Sequence, residues 1–121
     1  MTRINCIPVD ELSDAHLGAE YRELPRVFGL VRCAIARGEA PTDPRNPREY
    51  CLGPGHVRFF YPRLMWLHDR FYALVNECRK RGRTVNFPKA PAHGIPDEWF
   101  GDWEPTPAAL ALNRQRLRER S

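Results

Sequence analysis

The sequence predicts an all-α protein, a single domain spanning residues 1–121 with three helices joined by long ordered loops. Three observations carry this expectation. Apolar residues recur at helical spacing in three segments. Residues that start or stop helices bracket those segments. The two connections between them hold eight aromatic residues, too many for floppy linkers.

The first segment runs from about Ser13 to Arg37, with Leu17, Tyr21, Leu24, Phe28, Val31 and Ile35 as its seam. Ser13 or Asp10 can cap its start and Gly38 can end it. Pro25 falls in its middle, where a missing N–H and a ring clash cost about 3 kcal/mol, so a kink is expected there. The second segment runs from about Pro62 to Arg81, with Leu64, Leu67, Phe71, Leu74 and Cys78 on its seam. Pro62 suits a first helical position and Gly82 the C-terminal cap. The third starts at Thr106-Pro107 and continues to the chain end through Leu110, Asn113 and Leu117. Residues 39–61 and 83–105 are rich in Pro and Gly. Structureless connections of that length are uncommon unless functional or disordered. Their Tyr50, Phe59, Phe60, Tyr61, Phe87, Trp99, Phe100 and Trp103 are expected to pack over the helices and complete the core.

At 121 residues the chain supports one core rather than two. It has no apolar stretch near the roughly 20 residues needed to span a bilayer. Its start lacks a signal core and a cleavage site, so the expected setting is cytoplasmic. Cys6, Cys33, Cys51 and Cys78 have no C-x-x-C spacing and are read as thiols. His16, His56, His68 and His93 are scattered, without an H-E-x-x-H pattern, so no metal site is expected. Net charge is +4, and 17 of the 19 basic residues are arginine. The arginine fork suits phosphate. A genome favouring arginine codons explains the bias equally well, so charge alone suggests nucleic acid without establishing it.

Three features carry possible chemistry. Arg22 and Arg26 share one face of the first helix, while His16, Glu20 and Glu23 share another beside the seam. A solvated face with local Glu–Arg pairs accounts for the same pattern. The initiator methionine is normally removed before threonine, which exposes the α-amino group of Thr2. With a pKa of about 7.7–8.0, roughly a quarter of that amine is neutral near pH 7.4, against about a thousandth of a lysine. It can therefore attack an electrophilic sugar carbon without a special site. A processed, frayed terminus is the ordinary alternative. Arg114, Arg116, Arg118 and Arg120 make the third helix basic on two sides. That pattern suits either a phosphate-tracking strip or a solvated helix end favoured by its dipole.

In sequence the chain resembles the pyrimidine-dimer DNA glycosylase/AP lyase family, whose best-known member is a phage endonuclease V. The resemblance rests on Met1-Thr2-Arg3-Ile4-Asn5, on His16-Leu17, and on the unbroken run from Ala19 through Pro25 to Gly29. Gly55-His56-Val57 followed by Phe59-Phe60-Tyr61 adds to it. Weaker matches at Glu77-Cys78, Lys80-Arg81-Gly82 and Gly101-Asp102 extend it over nearly the whole chain.

The resemblance implies three helices with an N-terminal segment threaded between them. It implies that the Thr2 amine attacks the anomeric carbon of the damaged nucleotide, forms an imine, and cuts the strand by β-elimination. Glu23 matches the family's essential carboxylate. Arg3, Arg22 and Arg26 match positions that hold the DNA backbone, and Arg116 and Arg120 match basic positions on the third helix. His16 matches a histidine near the site. The implied substrate is double-stranded DNA carrying UV damage or abasic sites, handled by a monomer with no cofactor and no membrane partner.

Ala15 stands where the family has glutamine, which removes one hydrogen-bonding contact near the lesion. Gly18 replaces a larger residue and weakens the first helix by up to about 1 kcal/mol. The phage enzyme continues into an aromatic, basic tail beyond the position of Ser121, so a less strict preference for cyclobutane dimers is expected here. Two other readings stay open on sequence grounds: the same amine chemistry directed at abasic sites or oxidised pyrimidines, and a non-catalytic DNA-binding module.

Overall fold

The structure, a computed structural model, describes residues 3–120. After a 3-10 turn at Val9–Glu11, five helices follow: α1 (Asp14–Glu23), α2 (Arg26–Ala36), α3 (His56–Phe59), α4 (Leu64–Lys80) and α5 (Pro107–Arg120). A second 3-10 turn lies at Asp97–Trp99. The all-α expectation holds, with no strand among the described residues beyond one isolated bridge between Arg63 and Phe100.

The expected first helix is two helices. Ser13 caps α1 through its hydroxyl, which accepts from His16 N at 3.1 Å. Leu24 and Pro25 keep helical backbone angles. Proline has no N–H to bond back to Tyr21, however, and its ring crowds that carbonyl. The ladder is therefore interrupted rather than bent, and α2 sets off from Arg26. Gly38, at φ +85, ends α2 as expected from its position. The one-turn helix α3 lies inside a connection expected to be irregular, and Gly55 at φ +88 leads into it.

Helix α4 begins two residues later than expected because Pro62 and Arg63 are held outside it. Gly101 N donates to Pro62 O at 3.1 Å, and Gly101 O accepts from Met65 N at 3.1 Å and Trp66 N at 3.4 Å. The 83–105 loop thus satisfies two orphan donors at the N-terminus of α4. A side chain at Gly101 would put its Cβ against the Pro62 carbonyl oxygen, so only glycine fits there. In α5, Thr106 Oγ1 accepts from Ala109 N at 3.1 Å, as a cap before the first-turn proline should.

Helix α1 packs on α4. Leu17, Leu24, Phe28 and Val31 meet Leu64, Leu67, Phe71 and Leu74 in a core without solvent exposure. Tyr21 and Ile35 sit at its margin. Of the loop aromatics, Tyr50, Phe59, Phe60, Tyr61 and Trp99 are buried, while Phe100 and Trp103 pack against the core from its edge. Tyr50, Phe59, Phe60, Trp66 and Trp103 form one edge-to-face and stacked cluster with centroid spacings of 5.0–6.2 Å. Phe87 departs from the expectation. It is 74% exposed, because its backbone N–H and C=O are both tied to the Tyr21 hydroxyl, which holds the segment at the surface.

Candidate active site

The N-terminal segment runs through the core without regular secondary structure, with Ile4, Asn5, Cys6 and Ile7 all buried. No strand among the described residues lies beside it, so its backbone groups need partners from elsewhere. Side chains supply them. Ile4 N donates to His56 Nε2 at 2.9 Å, and Ile4 O accepts from the Tyr50 hydroxyl at 3.1 Å. Cys6 N and Ile7 N both donate to Asn113 Oδ1, at 2.8 and 3.1 Å. Ile7 O accepts from Arg70 Nη1.

A polar relay locks those partners together. Arg70 donates twice to Glu20, from Nε at 2.8 Å and Nη2 at 3.1 Å. Asn5 Nδ2 donates to Glu20 Oε1 at 2.8 Å, and Asn113 Nδ2 donates to Asn5 Oδ1 at 2.7 Å. The segment is thus splinted to α1, α3, α4 and α5. Asn5, His56, Arg70 and Asn113 were not singled out as site residues by sequence pattern. A signal existed for one of them, since Asn113 is a polar residue on an apolar seam and is fully buried.

His56 can serve Ile4 only as a neutral ring. Its Nδ1–H donates to Cys51 O at 2.7 Å, which leaves Nε2 as the acceptor. Burial pushes its pKa below the usual range; the Arg3 charge acts the same way and the Cys51 carbonyl opposes them. The unfolded ring takes up a proton near pH ~6.5, before the folded one does. The stabilisation is therefore complete above that pH and is lost as pH falls from it toward the lower folded value. Unfolding free energy should decline on that limb by up to about 1.4 kcal/mol per pH unit from this group. Urea midpoints across the acid range should show the slope in the parent protein and a flatter profile in His56→Gln. Parallel profiles would count against this role.

The segment leads into a cleft of about 300 Å³ whose walls include Arg3, Asn5, His16, Glu20, Glu23 and Arg120. Thr2 lies outside the described residues. Among the other expected site residues, the cleft gathers Arg3, His16, Glu23 and Arg120. The two carboxylates on this wall differ sharply. Glu20 is 1% exposed and committed to Arg70 and Asn5. Glu23 is 27% exposed and pairs with Arg26 Nη1 at 2.8 Å on the rim. Glu20 is therefore structural, and Glu23 is the carboxylate presented to the cleft.

Burial and the charges of Arg116 and Arg120 push the Arg3 guanidinium below its usual range. Arg3 Nη1 and Arg116 Nε are buried without hydrogen-bond partners. Among the described residues neither Arg3 nor Arg120 forms an ion pair, and Arg116 has only a 3.8 Å contact with Glu119. Three neighbouring guanidinium groups, two of them with idle buried donors, form a site suited to an anion. Arg114, on the same helix, is occupied by a two-bond pair with Glu11.

Arg22 and Arg26 are exposed on the outer side of α1 and at the start of α2. Arg22 borders a separate, mainly apolar cleft of about 400 Å³ with Tyr21, Phe71, Phe87 and Lys89. The expected site residues therefore fall into two neighbouring groups, joined across α1. No helix among the described residues is long and apolar enough to cross a membrane.

The arrangement defines a small all-α protein that feeds its N-terminal segment through the core to a cationic cleft bearing one presented carboxylate. The chain belongs to the pyrimidine dimer DNA glycosylase family, whose model matches residues 1–90. Its family acts on damaged DNA, and the role that membership gives the chain is that of a DNA-repair glycosylase. Arg3, His16, Arg22, Glu23, Arg26, His56 and Arg70 fall inside the matched span, and Asn113, Arg116 and Arg120 fall beyond it.

Proposed function

We propose that this protein cleaves the glycosyl bond at cyclobutane pyrimidine dimers in double-stranded DNA through the α-amino group of Thr2 and then cuts the strand as an AP lyase. The observation that carries this reading is the splinted N-terminal segment. A chain held by five hydrogen bonds from four side chains over residues 4–7 delivers Arg3 to a cleft containing Glu23. Such investment in a terminus is unnecessary for a frayed end. It suits a terminus that must be placed for attack.

In the proposed sequence the neutral amine forms a bond to C1′ as the glycosyl bond breaks, and the base departs with the bonding pair and takes up a proton. Opening of the sugar ring, with a proton delivered to O4′, yields the imine. Removal of a C2′ proton expels the 3′ phosphate, and water then hydrolyses the imine to free the amine. Glu23 is the proton carrier for these steps and stabilises the cationic sugar through its charge. His16 shares the same wall and contacts the nucleotide from the lesion side.

Arg3, Arg116 and Arg120 hold a phosphate at the mouth of the cleft, and Arg22 and Arg26 hold the backbone on the far side of α1. Reaching the sugar requires extrusion of a nucleotide, which costs a few kcal/mol and least where pairing is already damaged. The apolar cleft beside Arg22 offers Phe87 and the partly buried Tyr21 as stacking faces for that base. The protein acts as a monomer and needs no cofactor for this chemistry.

Borohydride trapping tests the proposal, with one duplex carrying a single cyclobutane dimer and another carrying an abasic site. Covalent adducts with both are expected, and an added N-terminal residue that blocks Thr2 should abolish them. Adduct with the abasic duplex alone would retain the amine chemistry and reassign the substrate. No adduct with either, from protein verified to begin at Thr2, would leave only DNA binding.

A further inference from the structure

We propose that Arg83 is a second phosphate ligand beside Arg22, admitted to that position by the missing side chain of Gly18; the inference rests on the DNA reading above. Gly18 lies within α1, one turn before Arg22. A Cβ built on it would stand 2.7 Å from Arg83 Nη2 and 3.2 Å from Arg22 Nη1. The two guanidinium groups therefore converge on one point above the helix, and the first occupies space that any larger residue would claim. Glycine weakens a helix interior, and here the space it leaves is filled by a cation.

Placement of Arg83 is set by the backbone. Gly82 ends α4 at φ +75, and Arg83 N then donates to Cys78 O at 2.8 Å. Among the described residues neither Arg22 nor Arg83 forms an ion pair. The nearby carboxylates Glu23 and Glu77 pair with Arg26 and Arg81 instead. Two like charges side by side repel, and a phosphodiester bridging them converts repulsion into two charge-assisted contacts.

A shallow cleft of about 220 Å³ opens between these arginines, with Thr84 and Asn86 on its far wall. It shares Tyr21, Arg22 and Phe87 with the larger apolar cleft. The bound group is thus a backbone phosphate next to the extruded base.

The test is the salt dependence of binding to an undamaged duplex, measured by fluorescence anisotropy. Each phosphate contact contributes about 0.9 to the slope of log affinity against log salt. Arg83→Ala should lower the slope by about one contact, as Arg22→Ala does, and the double variant by about two. Arg83→Lys should keep the slope, since the charge remains. Gly18→Met should lower it with Arg83 still present, while melting temperature does not fall. An unchanged slope in Arg83→Ala, with a reduced slope in Arg22→Ala, would overturn the proposal and spare the DNA reading. Unchanged slopes in both variants would overturn the two together.

Discussion

Glu23→Gln is expected to bind a dimer-containing duplex within a few-fold of the parent protein and to turn it over at least about 10²-fold more slowly. Glutamine keeps the size and one acceptor oxygen of the carboxylate but neither its charge nor its ability to carry a proton. Those are the two properties the proposed steps require, at the cationic sugar and at C2′. The fold should not notice. The pair that Glu23 forms with Arg26 is partly exposed, and such pairs are worth about 0–1 kcal/mol. Single-turnover cleavage with protein in excess, alongside equilibrium binding, separates the two effects. Turnover within ten-fold of the parent would remove Glu23 from the mechanism.

The second large effect concerns the carboxylate that faces inward. Arg70→Ala should destabilise the protein by about 3–5 kcal/mol, because Glu20 would be left charged and nearly unexposed with only Asn5 as a partner. For a chain of this length that corresponds to a fall in melting temperature on the order of 15 °C. Replacing the pair with apolar residues, Glu20→Leu with Arg70→Met, should recover much of the lost stability, since a packed apolar pair often matches a buried ion pair. It should not recover strand cleavage. Asn5 Nδ2 would lose its acceptor and Ile7 O its donor, so two of the restraints on the N-terminal segment would be gone. A double variant as active as the parent would show that the relay serves stability alone.

These two glutamates mark how far local pattern reaches. Both lie beside the apolar seam of α1, three residues apart, and periodicity assigns them the same face. What distinguishes them is α4. Arg70 arrives from 50 positions along the chain to neutralise Glu20, whereas Glu23 lies near the break at Pro25 and pairs outward with Arg26. The resemblance selected Glu23 by matching an unbroken run of residues, not by any physical distinction visible in the pattern. Arg83 and Gly18 show the same limit. One reads as a loop cation and the other as a weak point in a helix, and their connection exists only when α1 and the end of α4 are side by side.

The sequence by itself determined the all-α class, the positions of α1, α4 and α5, the stop at Gly38, the cap at Thr106 and the apolar seams that meet in the core. It also determined the family, since the matched residues run through the first three quarters of the chain. These properties follow from short-range rules: helical spacing, caps, and the geometry of proline and glycine act within a few residues of where they are written. The tertiary structure alone decided that Gly101 caps α4, that Phe87 stays at the surface, and that Asn113, Arg70, His56 and Tyr50 hold residues 4–7. Those outcomes depend on partners 46–107 positions apart for the N-terminal segment. A buried segment outside any helix or sheet must take its hydrogen bonds from whatever side chains the packed helices present, and only the packing determines which those are.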